Sequence, residues 1–337
     1  MSLRTLGVAL STLALAATAA CGSDSSSAEA DVLTEITIAE PVHGVGYLPL
    51  YAAIDQGYFA DEGLDVSTTT LTGGGHVNAL LSGEVFGFIG GPESGAVANV
   101  KGADLTTVAN VVNRGNVYFV AAAGQEPEDG ADMGDYLAGK KIVGGRYGGT
   151  PSAILRHILI ENGLDPEDDV QLNEIEDSSA VPSVISSGQA EIATVSEPQL
   201  GAGIAEGLWG EPFLSALDLL GPYAYSAIVV QQSTIDDDPE TVQAFVSALE
   251  KGQADIESDR DYTLELAQRE FPTMDEDTLT AVLDRAYADE LWGGTYLTPE
   301  AVETALQVAR DGEILDDSDA PQSFETVATN EFVSEQP

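Results

Sequence analysis

Two charged side chains follow predicted strands and have the chemistry to hold a small molecule. Arg146 lies in a glycine-rich loop that joins a strand to a helix, and its guanidinium suits an acidic group on a ligand. Glu197 ends another predicted strand just before Pro198, and its carboxylate can accept a hydrogen bond from an amine, an amide or a ring N–H. The position of Glu197 equally suits a cap on the helix that follows, so both roles stay open. These residues predict binding rather than bond-breaking chemistry.

Further candidate contacts lie in the glycine-rich loops after the other predicted strands. Glycine lets backbone N–H groups approach a ligand, and a helix N-terminus favours negative charge. The histidines either contact a ligand or fill polar loops, and the tyrosines either stack on a flat ligand or pack in the core. The candidates beside Arg146 and Glu197 are His43, Tyr47, Gly74, His76, Pro92, Glu93, Ser94, Tyr147, Gly149, Thr150 and Tyr223.

The composition argues against several classes of function. The sequence carries 57 acidic and 12 basic residues, a formal net charge of -45, and so lacks the Lys and Arg that neutralise phosphates in nucleic-acid binding. It contains no Walker loop, no dinucleotide fingerprint, no acidic cluster with EF-hand spacing and no evident Ser-His-Asp or Cys-His arrangement. We therefore expect no cofactor, no metal and no catalytic residue, and we interpret the acidic clusters as solvated surface that would suit a salty habitat.

The elements that position these loops alternate between strand and helix patterns. Strands are predicted at 33–39, 64–71, 85–89, 105–112, 116–123, 141–144, 170–175, 191–195 and 223–232. Helices are predicted between them, including one that has Thr150 as its N-cap and Pro151 at its first helical position. After residue 238 the pattern predicts helices alone. The alternation predicts an α/β fold with mostly parallel sheets.

The order of the elements predicts two lobes with a ligand cleft between them. The strands at 116–123 and 223–232 are the expected crossings between lobes. Lobe one would then be discontinuous, comprising 34–118 plus 228–337, and lobe two would comprise 119–227. Ligands of such folds bind at the carboxyl ends of strands, in the crevice between the lobes.

Several segments resemble the substrate-binding proteins of ABC importers, in the branch that binds nitrate, alkanesulfonates, taurine and thiamine-precursor pyrimidines. In chain order they are GYLPLYAA at 46–53, GYFADEGLDV at 57–66, LLSG at 80–83 before FGF at 86–88, LAGKKI at 137–142, VSEP at 195–198 and FETVATNEFV at 324–333. The resemblance spans roughly 36–333. It implies a two-lobed type 2 periplasmic binding protein fold, and a monomer that delivers its ligand to ABC permease and ATPase subunits.

The N-terminus has the pattern of a secretory signal. Arg4 precedes an uncharged run over 6–20, and Cys21, the single cysteine in the sequence, follows directly. This arrangement resembles the bacterial lipoprotein signal, which implies a lipidated Cys21, although the family usually has Leu where Thr18 stands. The expectation is a signal peptide at 1–20, a lipidated tether at 21–33 and anchoring to the outer face of the cell membrane. An ordinary signal peptide with a bystander cysteine is the alternative.

The functional expectation is an extracytoplasmic solute-binding protein of an ABC importer. The mixture of His, Tyr, Gly and Glu197 in the loops favours a neutral or weakly basic ring, such as a thiamine-precursor pyrimidine, as the ligand. The alternative ligand is a small anion, such as an alkanesulfonate, taurine or nitrate, held by Arg146 and the helix N-terminus at Thr150. A sensor that binds the same ligand is a further alternative. A pyrimidine-synthase-like enzyme is another, but the sequence lacks the Cys-rich iron motif that this resemblance requires.

Overall fold

The computed structural model describes residues 33–334, in which strands and helices alternate as far as Gln231 and helices alone follow. The strands are β1 (Thr34–Glu40), β2 (Leu64–Thr70), β3 (Gly87–Gly90), β4 (Leu105–Arg114), β5 (Tyr118–Ala121), β6 (Lys141–Gly145), β7 (Gln171–Ile175), β8 (Ile192–Val195), β9 (Leu214–Ser215) and β10 (Pro222–Gln231). The helices are α1 (Leu48–Asp55), α2 (Tyr58–Asp61), α3 (Gly75–Ser82), α4 (Pro92–Val100), α5 (Met133–Leu137), α6 (Thr150–Glu161), α7 (Val181–Ser186), α8 (Gln199–Ala205), α9 (Ala216–Leu220), α10 (Gln232–Asp237), α11 (Pro239–Ser258), α12 (Arg260–Glu270), α13 (Glu276–Ala288), α14 (Pro299–Asp311) and α15 (Phe324–Val327). The predicted α/β fold class is confirmed.

The first sheet has the strand order β2-β1-β3-β10-β4. Strand β1 runs parallel to β2 and β3, and Ile38 pairs with Gly87 of β3. Strand β10 runs antiparallel to β3 and β4. Its run Ala224–Val230 is buried, as expected for a strand covered on both faces. The parallel core places the ends of β1, β2 and β3 at one edge of the sheet, where the loops that follow them meet.

The second sheet has the order β7-β6-β8-β5-β9 and repeats this arrangement. Strand β6 runs parallel to β7 and β8, whereas β5 runs antiparallel to β8 and β9. Its buried centre includes Ile142, Val143, Ile192 and Ala193. The loops after β6, β7 and β8 therefore also gather at one edge.

The chain passes between the sheets twice. It leaves the first sheet at Arg114, enters the second at Tyr118, and returns to the first sheet at Pro222. Strand β10 belongs to the first sheet along its whole length. The lobe boundaries at 118, 119, 227 and 228 stay a prediction.

Aspartates cap the long C-terminal helices, which explains part of the acidity of the chain. Asp238 accepts a hydrogen bond from the Thr241 amide at the start of α11, and Asp275 accepts one from the Thr278 amide at the start of α13. A side-chain oxygen at this position satisfies a free backbone donor, and its negative charge suits the helix N-terminus. Among the described residues, no helix is long and apolar enough to cross a bilayer. The predicted signal peptide, Cys21 and all of the predicted tether at 21–33 except Leu33 lie outside the described residues.

Candidate ligand-binding site

A cavity of about 320 Å³ lies where the loops of both sheets meet. Gly44, Gly74 and Gly91 come from the loops after β1, β2 and β3. Arg146 and Glu197 come from the loops after β6 and β8. Crevices at the carboxyl ends of strands are the usual ligand sites of open α/β sheets. The structure thus brings the loops that sequence reasoning selected into one cavity.

Most of the candidate side chains line this cavity. Those that do are His43, Tyr47, Gly74, His76, Ser94, Arg146, Gly149, Thr150 and Glu197. Pro92, Glu93, Tyr147 and Tyr223 are not among the lining residues. Glu93 and Tyr223 are buried behind the wall, and the side chain of Tyr147 is half exposed. Ligand contact itself stays a prediction for every one of these residues.

Several helices begin at the cavity wall. The N-caps of α3, α4 and α6 are Gly74, Gly91 and Gly149, and all three line the cavity. The first N–H groups of a helix lack partners within the helix, so such ends favour negative charge. The prediction that Thr150 is an N-cap is wrong, because Thr150 is already the first helical residue. Its hydroxyl instead donates a hydrogen bond to Glu93 Oε1.

One corner of the cavity carries a positive charge. Arg146 forms no ion pair within residues 33–334, and its Nη1 donates a hydrogen bond to the Tyr147 carbonyl oxygen at 2.7 Å. A Cβ on Gly74 would lie 3.2 Å from Arg146 Cζ, so the glycine lets the guanidinium approach the backbone. Glu176 also lines the cavity but does not pair with Arg146. The guanidinium is therefore free to bind an acceptor on a ligand.

His76 lies beside this guanidinium and is kept neutral. Burial, together with the positive charge of Arg146, lowers the pKa of His76 to about 4. Its Nδ1 is buried and has no hydrogen-bond partner among the described residues. A neutral imidazole can present either a donor or an acceptor at this nitrogen. His76 therefore adds a polar group to the corner without adding a second charge.

The carboxylate of Glu197 is engaged by the protein itself. Its Oε2 accepts a hydrogen bond from the Gly201 amide at 2.9 Å, and its Oε1 accepts one from Arg285 Nε at 3.2 Å. The side chain is fully buried, and burial raises its pKa to about 7. Of the two roles left open by the sequence, these contacts favour the cap on the first turn of α8. A ligand donor would have to share oxygens that already have partners.

His43 is also held by protein groups. Its Nδ1 lies 3.2 Å from Glu40 Oε1, and its Nε2 lies 3.3 Å from Glu270 Oε2. The hydrogen bond to Glu40 is the main reason that the pKa of His43 is raised. The ring stacks on Tyr51 at 4.6 Å and lies 5.0 Å from Phe271. Both ring nitrogens and much of the ring surface are thus occupied, which favours a structural role over ligand contact.

Sequence reasoning missed Asn116 and Ser196, which with Tyr225 form a second group of polar residues that line the cavity. Asn116 is 3% exposed, and its Oδ1 has no partner among the described residues. Ser196 Oγ donates a hydrogen bond to the Asn116 carbonyl oxygen and lies 3.3 Å from Tyr225 Oη. The sequence placed Asn116 inside a predicted strand, where nothing distinguishes an inward polar side chain. Ser196 could have been predicted more easily, because it directly precedes Glu197 and Pro198 at the end of a predicted strand.

The arrangement suits a small molecule with more than one polar group. Arg146 and His76 form one polar corner, Asn116, Ser196 and Tyr225 form another, and apolar or aromatic side chains such as Val112, Tyr47 and Phe271 line the rest. Within the described residues, no group of three or more His, Cys, Asp or Glu side chains could hold a metal ion. The site can bind and orient a ligand.

Comparison with known proteins identifies relatives of this chain. A family described as "NMT1/THI5 like" matches residues 45–261. YtlA of Bacillus subtilis strain 168, named as a candidate binding protein, is 28% identical over 260 residues, which are 76% of this chain and 76% of YtlA. The family match extends from the loop after β1 into α12 and so includes most of the residues that line the cavity.

Solved structures of solute-binding proteins share the fold. The ligand-binding component of an ABC-type import system from Staphylococcus aureus has a TM-score of 0.72 at 15% identity, covering 90% of this chain and 98% of that chain. The alkanesulfonate-binding protein SsuA from Xanthomonas axonopodis pv. citri, bound to MOPS, has a TM-score of 0.68 at 17% identity, covering 84% and 94%. The periplasmic nitrate-binding protein NrtA from Synechocystis has a TM-score of 0.67 at 16% identity, covering 89% and 87%. These likenesses confirm the predicted two-sheet binding-protein fold.

Proposed function

Because the chain belongs to the NMT1/THI5-like family, we propose that it is an extracytoplasmic solute-binding protein that delivers a small organic molecule to an ABC importer. The cavity at the strand ends of both sheets carries this proposal. The fold shared with a ligand-binding component of an ABC-type import system supports it. The secretory pattern before Cys21 supports a location outside the cytoplasm, with lipid attachment at that cysteine. The expected partners are therefore a permease and an ATPase.

The ligand that the geometry favours carries an acidic or strongly accepting group. Arg146 lines the cavity and has no ion-pair partner among the described residues, and α3 and α6 begin beside it. A guanidinium and helix N-termini together favour a carboxylate or sulfonate. A bare nitrate ion would fill only a small part of a cavity of about 320 Å³. We therefore place a small organic anion ahead of the pyrimidine that the sequence favoured, because Glu197 is already engaged.

A neutral or weakly basic ring, such as a thiamine-precursor pyrimidine, remains the second candidate. The observation that favours it is Asn116, whose buried Oδ1 has no partner within residues 33–334 and can accept a hydrogen bond from a ring amine. Tyr47, Tyr225 and Phe271 add aromatic surface to the cavity wall. A buried acceptor left without a partner costs free energy, so a ligand donor placed there would be favoured.

A ligand panel and two substitutions separate these candidates. Thermal unfolding should be measured with alkanesulfonates, short carboxylates, nitrate and aminopyrimidines, followed by titration calorimetry of each hit. For an organic anion, Arg146→Gln should weaken binding by about tenfold to a hundredfold, since a charge-assisted hydrogen bond contributes roughly 1.5–3 kcal/mol. For a pyrimidine, Asn116→Leu should have the larger effect, because it removes the acceptor that Asn116 offers.

Lys101→Gln is the matched control for Arg146→Gln. Lys101 is exposed at the end of α4, forms no ion pair within residues 33–334, and does not line the cavity. Its substitution changes the net charge by the same amount as Arg146→Gln. Equal losses of affinity in both variants would indicate a long-range effect of net charge and would contradict direct contact between Arg146 and the ligand. Failure of the whole panel to raise the unfolding temperature would contradict solute binding of these classes.

A further inference from the structure

A buried carboxyl group lies directly behind the wall of the cavity. Glu93, in the first turn of α4, is 1% exposed. A Cβ on Gly91 would lie 2.2 Å from both Glu93 carboxyl oxygens, so the carboxyl group packs against the backbone of a residue that lines the cavity. Only a residue without a side chain leaves room for this arrangement. The carboxyl group is therefore a neighbour of the site rather than part of its surface.

This carboxyl group joins loops that belong to different sheets. Glu93 follows β3 of the first sheet, and Thr150 follows β6 of the second. The Thr150 hydroxyl donates a hydrogen bond to Glu93 Oε1 in a buried setting. Thr150 itself lines the cavity and ends the loop that carries Arg146 and Gly149. A hydrogen bond at this place holds the Arg146 loop against the first sheet.

We propose that Glu93 is a positioning residue, which acts through Thr150 to hold the loop from Arg146 to Thr150, and with it the second sheet, against the first sheet most firmly when the carboxyl group is protonated. The proposal rests on the proposed function, because it assigns a role to this loop in holding a solute. It implies that formation of the assembled site takes up a proton. Glu93 acts through Thr150 and does not itself contact the ligand.

The surroundings of Glu93 favour its neutral form. Burial raises the pKa of Glu93 to about 7, against the opposing effect of the hydrogen bonds from Thr150 and from its own amide. The Tyr223 and Tyr225 phenols on β10 lie close enough that the charge of Glu93 would raise their pKa values. Glu93 Oε2 has no hydrogen-bond partner among the described residues. An ionised carboxylate would therefore be left buried and poorly compensated.

The charged residues on the other elements that pack against α4 do not compensate this carboxyl group. Helix α4 packs on β4, β10, α14 and α15. Of the charged side chains on these four elements, Glu300 is exposed, and the others interact with groups other than Glu93. The interacting pairs are Arg114 with Glu290, Glu303 with the Phe324 amide, Arg310 with Asp317, Asp311 with His157 and Glu325 with Ser323. None of them is among the groups that shift the pKa of Glu93.

The direction of the pH effect follows from the two pKa values. An exposed glutamate titrates near 4.5, whereas Glu93 in this setting titrates near 7. Below the lower value the carboxyl group is protonated whether the loop is in place or released, so the preference for the assembled state does not change with pH. As pH rises between these values, the released loop gains by ionising, so the assembled state loses stability. Above the higher value the loss is complete and no longer changes with pH.

Distances between two spin labels test the proposal without a ligand. Labels on Asp61→Cys and Ser187→Cys, both at exposed positions, would report on the separation of the two sheets in the full chain with Cys21→Ser. The distance should lengthen as pH rises from about 5 to about 8. Glu93→Gln, which keeps the hydrogen-bond acceptor and cannot ionise, should hold the short distance at both pH values. Thr150→Val should give the long distance at both.

Glu128→Gln is the control, because Glu128 is an exposed glutamate outside the cavity. It should show the same pH response as the parent chain. A parent distance that does not change with pH, or a Glu93→Gln variant that responds like the parent, would overturn the proposal. The difference in unfolding free energy between the Glu93→Gln variant and the parent should also grow in favour of the variant as pH rises over the same range. The label experiment uses no ligand, so its result stands apart from the ligand panel.

Discussion

At the scale of single residues, burial and partners decide which charges remain for a ligand. Arg146 and Glu197 have similar positions after strands of the second sheet. Glu197 is tied to Gly201 and Arg285, whereas Arg146 binds only a neighbouring carbonyl oxygen among the described residues. Removing a buried group from its partners costs stability, whereas a charge that has no partner at a cavity wall can bind a ligand. We therefore expect the two residues to take different roles.

Glu197→Gln should lower stability more than it lowers ligand affinity. The amide would place an N–H group toward either Arg285 or the Gly201 amide, so one buried hydrogen bond is lost at a cost of about 1–3 kcal/mol. Chemical denaturation measures the free energy of unfolding, and calorimetry with a ligand from the panel measures affinity. Glu211 is the matched control, because it pairs with the same Arg285 but is largely exposed.

Glu211→Gln should change the free energy of unfolding by less than about 1 kcal/mol, as expected for an exposed ion pair. A Glu197→Gln variant with unchanged stability and a large loss of affinity would contradict this assignment. In that case the carboxylate would bind the ligand, and the pyrimidine would become the favoured ligand class.

At the scale of elements, close helix packing supports the first sheet beneath the site. Helix α11 packs closely on α1 at Gly252, where a Cβ would lie 2.4 Å from the Pro49 carbonyl oxygen and 2.7 Å from the Ala53 amide nitrogen. Helix α1 follows the loop that carries His43 and Tyr47. The position of this loop therefore depends on a contact with a helix about 200 residues later in the chain.

Gly252→Ala should destabilise the protein, against the usual direction of a helical glycine-to-alanine change. In an exposed helix this change gains roughly 0.5–1 kcal/mol. Here the methyl group meets backbone atoms that cannot yield without moving α1, so we expect a net loss of about 1–3 kcal/mol. Thermal and chemical unfolding of the purified variant would measure it.

Gly95→Ala in α4 is the control for this substitution. A Cβ there would make ordinary contacts, 3.6 Å from Val229 Cγ1 and 3.8 Å from Leu105 Cβ. This variant should be as stable as the parent or slightly more stable. If Gly252→Ala were likewise as stable as the parent, α1 and α11 could move apart at little cost, and their close contact at Gly252 would not limit stability.

At the scale of the whole molecule, two passages of the chain connect the sheets around the cavity. The connections run from Arg114 to Tyr118 and from Ser215 to Pro222. Loops of both sheets line the cavity, so a motion of one sheet relative to the other would open or close it. Side-chain contacts also cross between the sheets, as in the hydrogen bond from Thr150 to Glu93. Hinge motion around such connections is a common response to ligand.

Ligand binding should reduce the radius of gyration in solution. Closure on a ligand brings the two sheets together, because contacts to both sides of the cavity become available at once. Small-angle scattering with and without a saturating ligand from the panel would measure the change. Arg146→Gln at the same ligand concentration should show a smaller shift. Identical profiles with and without bound ligand would count against hinge closure.

Cys21→Ser should release the protein from the membrane fraction or leave it unprocessed. The basis is the sequence pattern alone, an uncharged run that ends at Ala20 before the single cysteine. More than one acyl chain holds a protein firmly to a bilayer, and the thiol is the expected attachment point. Fractionation of cells that express each form would measure it. Equal distribution of the parent and the Cys21→Ser variant would show that the cysteine is a bystander.

The sequence by itself determined the fold class, the order of most of the elements and most of the loops at the site. Hydrophobic periodicity is a local property, so the strand at 64–71 and the helix that starts near residue 150 could be recognised from neighbouring residues. Parallel strands place their carboxyl ends together within a sheet, and ligands of two-lobed folds bind in the crevice between the lobes, which is why the loops carrying Gly74 and Arg146 could be assigned to one cavity. The family resemblance was likewise carried by short ordered segments.

Only the tertiary structure decided which polar side chains already have partners. Glu197 meets Arg285, and Glu93 meets Thr150, across long stretches of intervening chain. No local pattern encodes such pairs, because they depend on how two sheets and the C-terminal helices pack together. The same packing turned Asn116 into a buried polar side chain at the cavity wall, although the sequence showed it only as part of a strand. The choice between ligand classes depends on these pairings, and so it required the folded molecule.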